Sequence, residues 1–558
     1  MKRDLKSIFK LSAFSSLFLI AIGCGGDEGE TTKFTLVVND GTGSGQYASS
    51  MLVKITANTP PTGKEFEAWT GDISQLDSVT NPAGKITMPA NNIEVNATYR
   101  AIDLGSPVNI SIDKSTSYQT VDGFGFFGAY DVWWSGGSLW NDAWGEKMIG
   151  DLGITIWRNE YFPPSTPDNR QTEWTTQKPV VEGLKAKADK YNVDLKFIFT
   201  VWSPPSDLKW QSNFTWPGDV NATRNAGTVS TKNGGTLNPN KYTEYADWLK
   251  AGIQLYDDAG VDLYALSLQN ELMFVEPYNS CTYTFSWYND LLNNVVPKIK
   301  TTYPAIKLFG AENMLDLEGA DENWPYFYHS NIKANPTATA NIDILAVHGY
   351  TDGVAPSSGS GLVKRWTNHL EQFSKPMNKP TWMTETSGYN DTWESSGGKP
   401  GAINLAQDIH AGLYYGNMSA WVWWQGSGGE GSRDEIDEFA LMRGLNAGKK
   451  YFTSKHFYRY IRPGAVRVKS ISDDADVFVT AFQHSENGTH TIVMINSGIK
   501  DKLISLSGVD LPASFAMYRT NASTENCVFI DNINSGTTSS FILPAKTIVT
   551  LQAGGDPL

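Results

Sequence analysis

Residues 121–128 read VDGFGFFG, and Gly123, Gly125 and Gly128 fall at the spacing G-x-G-x-x-G. That spacing is a dinucleotide-binding fingerprint when a strand precedes it, a helix opens on the third glycine and an acidic residue follows about 20 residues on. After Gly128 the chain continues AYDVWWSGGSLW, where two adjacent tryptophans and a further pair of glycines make a poor first helical turn. The match by itself is weak, so the surrounding rhythm decides the fold.

That rhythm runs from about 121 to 455. Helix-length amphipathic stretches alternate with short apolar runs that end in polar or aromatic residues. GEKMIGDLG leads to ITIWRNE, VVEGLKAKADKYN to VDLKFIFTVWSPP, and EYADWLKAGIQLYDDAG to VDLYALSLQNE. WYNDLLNNVVPKIKTTYP leads to AIKLFGAEN, a stretch before 342 to IDILAVHGY, VKRWTNHLEQFSKPMNK to PTWMTETSG, and NLAQDIHAGLYYGN to MSAWVWWQG. With QTVDGFGFFG in front, eight strands alternate with helices. This predicts an α/β fold, a (β/α)8 (TIM) barrel over 121–455 whose site lies at the C-terminal strand ends. The glycines of VDGFGFFG then belong to the first barrel strand, where a neighbouring ring or a substrate approaches the backbone closely. No βαβ unit with a ribose-binding acid follows, so no dinucleotide or other cofactor is expected.

Period-two patterning flanks the barrel. KFTLVVND, MLVKITANTPPTGKEFEAWTGD and KITMPANNIEVNATYR predict a small all-β module over 33–100 that resembles divergent internalin-type bacterial repeats. AVRVKSI, DVFVTAFQH, HTIVMINSG, KLISLSG, SFAMYRT and KTIVTLQAG predict a side β-sandwich over 456–558, joined by VNISIDKS from 101–120. The N-terminus opens on basic MKRDLK and an apolar run ending at Cys24, too short for a membrane span. Ala21-Ile22-Gly23-Cys24 resembles a bacterial lipobox, so 1–24 reads as a lipoprotein signal peptide with Cys24 lipidated and 25–32 as a flexible tether. The expected location is the outer membrane or cell surface of a Gram-negative bacterium, the alternative a secreted protein. The lipid anchor would be the only membrane contact.

A net charge of −14, with no basic run beyond the first residues, argues against a nucleic-acid partner. The chain carries 19 Trp, 24 Tyr and 25 Phe, many beside Gly, Pro, Asn and Ser, as in YDVWWSGG and WSPPSDLKW. Flat rings in loops suit a sugar cleft, though large cores use rings too. Beyond Cys24 only Cys281 and Cys527 remain, and their pairing is left open. The 7 His show no HExxH-like cluster, so no metal site is expected.

Two carboxylates end barrel strands. Glu271 follows Asn270 in LSLQNELMF, and Glu385 closes PTWMTETSG. Strands four and seven lie across a barrel from each other, which suits two carboxyl groups flanking a glycosidic bond. Cleavage with retention needs such a pair about 5–5.5 Å apart.

QTVDGFG, WSPP, SLQNE, AVHGY, WMTET, WVWWQ and SKHFYRYIRPGAVRV occur in the order seen in glycoside hydrolase family 30, of the clan A retaining β-glycosidases. The resemblance covers about 108–558 and implies a barrel with a side β-sandwich, Glu271 as acid/base and Glu385 as nucleophile. Beside these, Asn270 is placed to bond a sugar 2-hydroxyl, Arg158 to hold Glu385 ionised, and Tyr350, with His348 on strand six, to donate to Glu385. Trp202 and Trp424 offer stacking floors, with Trp133 a further ring. Glu271 must be protonated at neutral pH, and the ionised Glu385 is expected to raise its pKa.

Leu272 stands where the family usually has Pro, and NFTWPGDVNATRNAGTVSTKNGGT lengthens the third loop. No clear match to the arginine–tyrosine clamp of glucuronoxylan-specific members exists, Arg433 and Arg443 being candidates only. The expectation is a monomeric, surface-anchored retaining endo-β-glycanase acting on a plant or algal polysaccharide, xylan first and β-1,6-glucan or β-1,6-galactan next. An exo-acting β-glycosidase and a noncatalytic glycan-binding surface protein are the alternatives.

Overall fold

The computed structural model describes residues 32–61, 63–128, 140–164, 174–210, 214–215, 223–224, 230–320, 328–350, 359–428, 436–535, 539–555 and 558. Cys24, Trp133 and Arg433 lie outside them. The chain divides into two compact units at Asp103/Leu104.

The first unit is all-β. Strands Gly45–Ala48, Lys33–Asn39, Ile93–Ala101 and Lys64–Gly71 form one sheet, and Gly41–Thr42, Leu52–Ala57 and Ala83–Thr87 form another. Alternation in each strand turns Leu36, Val38, Val53, Ile55, Ile86 and Val95 onto a shared core around Trp69. The Trp69 indole N–H donates to the Asn81 carbonyl at 3.0 Å, satisfying its one polar atom.

The second unit contains the barrel. Its strands are β1 (Gly123–Phe127), β2 (Ile156–Glu160), β3 (Lys196–Thr200), β4 (Leu263–Ser267), β5 (Lys307–Met314), β6 (Ile344–Gly349), β7 (Thr381–Thr386) and β8 (Met418–Trp424). All neighbouring pairs are parallel, and β8 pairs with β1 to close the cylinder. The eight apolar runs of the sequence are these eight strands. One set of side chains, Ile156, Ile198, Ala265, Phe309, Ile344, Ala346, Trp382, Ala420 and Val422, fills the interior. The opposite set faces the helices. In helix Phe285–Lys300 the stripe Tyr288, Leu291, Leu292, Val295, Val296 and Ile299 is buried. Thr284 caps its N-terminus by accepting from the Trp287 amide, and Lys298 and Lys300 complement its C-terminal dipole.

The glycines of VDGFGFFG are explained by β2. A Cβ on Gly125 would lie 1.8 Å from the Ile156 carbonyl oxygen, and one on Gly128 would lie 1.7 Å from the Trp157 ring. They admit a neighbouring strand and ring rather than a phosphate.

Nine strands form the side sheet, in the order Val528–Asn534, Ser514–Thr520, Thr547–Ala553, Thr489–Asn496, Val477–His484, Val466–Ser472, Val108–Thr120, Lys502–Gly508 and Ser539–Leu543. The segment before the barrel is thus inserted between strands that follow it. Alternation partitions the two cores: Ile492 and Met494 face the sheet's own core, whereas Val493 and Ile495 pack with the barrel helices. Cys281 and Cys527 are each buried and free.

Candidate active site

The site is built where β2 through β8 end. Arg158 lies in β2 with its side chain fully buried. Its guanidinium donates to four acceptors: Glu385 Oε2 at 2.5 Å, Glu312 Oε1 at 2.9 Å, Asn270 Oδ1 at 3.0 Å and Thr200 Oγ1 at 3.2 Å. A planar fork can serve β3, β4, β5 and β7 at once; an ammonium cannot. The Tyr350 hydroxyl, just past β6, donates to the other oxygen of Glu385. Both Glu385 oxygens are therefore held by donors.

The chain after β4 is folded back onto β3. The Asn270 amide donates to the Val201 carbonyl at 2.7 Å and the Gln269 side chain to that of Trp202 at 2.7 Å. Glu271 then sits in the left-handed region at φ 42°. A non-glycine residue there is strained, and such strain gathers at functional sites. Leu272 is buried, and its carbonyl accepts from the Tyr283 amide, so the loop turns here without proline.

Glu271 and Glu385 come together. A carboxylate oxygen from each lies within 4.8 Å of the other, so the two groups are near enough to flank one glycosidic bond. The His348 ring bridges carboxylates, with Nδ1 3.0 Å from Glu271 Oε1 and Nε2 3.4 Å from Glu312 Oε1.

Burial raises the Glu271 pKa most, and the nearby Glu385 charge adds to it, against His348 and Arg158. Glu385 raises it as expected, with burial the larger cause. Burial alone would lower the His348 pKa, but Glu385 and the bonds to Glu271 and Glu312 outweigh it and raise the value to about 9. Glu312 is held below the usual carboxylate range despite complete burial, chiefly by the Arg158 charge. Tyr350 is pushed well up by burial and by Glu385, so it stays a donor. Glu271, His348 and Glu385 also present atoms close enough to share a metal ion. The donor set fits poorly, because both Glu385 oxygens already accept from Arg158 and Tyr350, and His348 Nδ1 already bonds Glu271 Oε1.

Above these groups opens a cavity of about 380 Å³ lined by Trp202, Asn270, Glu271, Tyr350, Glu385 and Trp424, with Glu160, Phe162, Phe274, Glu276, Tyr278 and Phe439 at its walls. Trp424 stacks on Phe127 at 4.4 Å and stays partly open, as a floor should. Trp202 is only 6 % exposed and has the Arg158 guanidinium 5.0 Å from its ring, so it serves the arginine as much as the cavity. Asn270 spends its oxygen on Arg158, which leaves its NH2 as the end that a sugar hydroxyl can accept from.

The described end of the long third loop pairs with the fourth: the Ser280 amide donates to the Thr231 carbonyl and the Thr282 amide to that of Gly235. Buried Lys209 ties both by donating to the Gly234 and Ser280 carbonyls. This presents Phe274 and Tyr278, 37 % and 43 % exposed, at the rim. Arg443 lies in the short strand Met442–Arg443 and does not line the cavity. A larger hollow of about 690 Å³ lies at the opposite end of the barrel, beside Lys196, Leu263 and Lys307 where β3–β5 begin. It lacks the paired carboxylates, and barrel chemistry belongs at the C-terminal face.

Sequence reading passes over Glu312. It ends the same kind of apolar run as Glu271 and Glu385, in GAEN, and the same strand-end rule would have found it.

Residues 34–103 match the family described as the divergent InlB B-repeat domain. Over 422 residues the chain is 26% identical to the glucuronoxylanase XynC of Bacillus subtilis (strain 168), covering 72% of this chain and 81% of that protein. In structure it resembles Xyn30A, a glycoside hydrolase family 30 subfamily 8 xylanase from Clostridium acetobutylicum, with TM-score 0.61 and 22% identity over 80% of this chain and 99% of that one. It also resembles the endo-β1,6-glucanase BT3312, with TM-score 0.59 and 18% identity over 82% and 96%. The resemblance read from the ordered motifs holds in sequence and in fold.

Proposed function

We propose that this homologue of the family 30 glycoside hydrolases is a retaining endo-β-glycanase, with xylan its first substrate and β-1,6-glucan or β-1,6-galactan next. The observation that carries the reading is the pairing of Glu271 with Glu385 beneath an aromatic cavity, each carboxylate held by different partners.

Glu385 attacks the anomeric carbon as the glycosidic C–O bond breaks, and Glu271 gives its proton to the departing oxygen. Water then cleaves the glycosyl ester on Glu385 and returns a proton to Glu271, which restores both groups. Arg158 and Tyr350 hold and aim Glu385, and burial raises the Glu271 pKa, which suits it to carry the acid proton. Asn270 donates to the sugar 2-hydroxyl, and Trp424 carries the ring face. The glucuronoxylanase activity of XynC and the endo-β1,6-glucanase activity of BT3312 set the order of substrates. The reading of 1–24 as a signal peptide with Cys24 lipidated supports an outer-membrane lipid anchor, where a monomer meets polymer outside the cell. Among the described residues no helix is long and apolar enough to cross a membrane.

Protein without residues 1–24 is incubated with glucuronoxylan, arabinoxylan, β-1,6-glucan and β-1,6-galactan, and products are separated by size. An oligosaccharide ladder from one of them is expected. Monosaccharide alone would mean exo action, and no product from any would contradict the substrate assignment.

A further inference from the structure

Glu312 is the third carboxylate of the site and the one that no sugar reaches. It is fully buried and does not line the cavity. The pairing of β5 with β6 skips it: Ala311 faces Ala346 and Asn313 faces Val347. A residue left over in a ladder is a bulge, and bulges re-aim side chains. Its φ of 54° is a left-handed conformation that only a strong surrounding constraint maintains in a glutamate. That constraint turns the carboxylate toward Arg158 of β2 at 2.9 Å, Thr200 of β3 at 3.3 Å and His348 of β6 at 3.4 Å. Ser267 of β4 and Tyr288 of the following helix also face it. The charged groups that act most on His348 are Glu385, Glu271 and Glu312.

A count of charges shows what Glu312 adds. Arg158 and a protonated His348 supply two positive charges. Glu385 as nucleophile supplies one negative charge, and Glu271 as acid is neutral. Glu312 supplies the second negative charge, and the buried cluster is then balanced, as burial demands.

The ring of His348 shows why the balance matters. Neutral imidazole donates from one nitrogen and accepts at the other. With Nε2 directed at a carboxylate, Nδ1 of a neutral ring would accept, and the proton of Glu271 would point back at histidine. An imidazolium donates both ways, to Glu312 and to Glu271 Oε1, so the acid proton sits on the other oxygen of Glu271.

We propose that Glu312 is a positioning residue: its carboxylate holds His348 as a two-way donor, which turns the acid proton of Glu271 toward the bound sugar. This rests on the reading of Glu271 as acid. Against burial, Glu385 first and then the bonds to Glu271 and Glu312 raise the His348 pKa.

Glu312→Gln keeps the shape and removes the charge; Glu312→Asp keeps the charge. In the full chain the His348 ring is titrated by NMR, which needs no substrate. In parallel, kcat/KM is measured against pH with two aryl β-glycosides of the sugar that the enzyme cuts, one with a 2,4-dinitrophenyl and one with a phenyl leaving group. Loss of a negative charge lowers the pKa of its neighbours. Glu312→Gln should therefore titrate His348 at least one pH unit lower and move the alkaline limb of the profile the same way, while Glu312→Asp restores both in part. The phenyl glycoside, which needs the acid, should lose at least tenfold more kcat/KM than the dinitrophenyl glycoside, which does not. Equal losses on both with unmoved limbs, or an unchanged His348 titration in folded Glu312→Gln, would overturn the proposal. Absence of hydrolysis by the parent protein would count against the glycosidase reading, while the His348 titration would still decide whether Glu312 holds the imidazolium.

Discussion

Arg158 and Glu385 meet at 2.5 Å with 0 % and 6 % of their side chains exposed. Two charges so enclosed stabilise each other only while both are present, and removing one leaves the other buried without its counter-ion. Arg158→Met should destabilise the barrel by about 3–5 kcal/mol in urea unfolding. Arg158→Lys should recover little, because one ammonium cannot reach acceptors on β3, β4, β5 and β7. Full recovery by lysine would mean that charge matters and the fork does not.

Tyr350→Phe removes one hydrogen bond to the nucleophile and little volume. A bond to a charged group contributes about 1.5–3 kcal/mol, so kcat should fall roughly 10- to 100-fold, with the fold kept and the melting temperature lowered. An unchanged kcat would remove Tyr350 from the mechanism.

The two carboxylates are separable by azide. Glu271→Ala should lose about 10²–10⁴-fold on substrates with poor leaving groups. With an activated β-glycoside and azide it should form the β-glycosyl azide, since Glu385 still makes the ester. Glu385→Ala with azide should give the α-product. NMR of the two azides checks the assignment, and the opposite pattern would exchange the roles. In the parent enzyme, activity should fall as pH rises through the raised pKa of Glu271, because the proton is then lost.

Asp408 predicts a pH effect on stability away from the site. It is fully buried, one oxygen accepting from the Tyr389 hydroxyl and the other without a partner among the described residues. Burial raises its pKa well above the ordinary value, against the Tyr389 bond. Its favourable contribution is complete below about pH 4, the unfolded value, and is lost as pH rises through the folded value. Asp408→Asn, neutral throughout, should gain on the parent by about 1.4 kcal/mol for each pH step of one between the unfolded and the folded value. Melting temperatures of both proteins between pH 5 and 8 test this, and a difference that does not grow with pH would mean that Asp408 is charged in the fold.

Cys24→Ser should move the protein from the membrane fraction to the soluble fraction of expressing cells. Retention in the membrane would contradict a lipid anchor.

The barrel was legible because parallel strands buried on both faces read as short apolar runs, and helices between them carry a different period. VNISIDKS announced its place in the side sheet by alternation alone, and it pairs there with Val466–Ser472 and Lys502–Gly508. Glu271 and Glu385 stood out because each closes an apolar run over the barrel mouth inside a motif of the family resemblance. Glu312 obeys the same pattern, but its task depends on a bulge, and register does not show in a single strand's composition. Phe274 and Tyr278 reach the rim through Lys209 and Ser280, contacts between loops far apart in sequence. The larger role of burial in raising the Glu271 pKa also needed three dimensions, since sequence shows a neighbour's charge more readily than missing water.

Double displacement at Glu385 fixes the stereochemistry of the product. Proton NMR follows the anomeric signals during the first minutes of digestion of the polysaccharide that the protein cleaves, before mutarotation mixes them. Double displacement predicts that the β-anomer of the new reducing end appears first and the α-anomer grows in later. An α-anomer appearing first would mean inversion, and would contradict a nucleophilic role for Glu385.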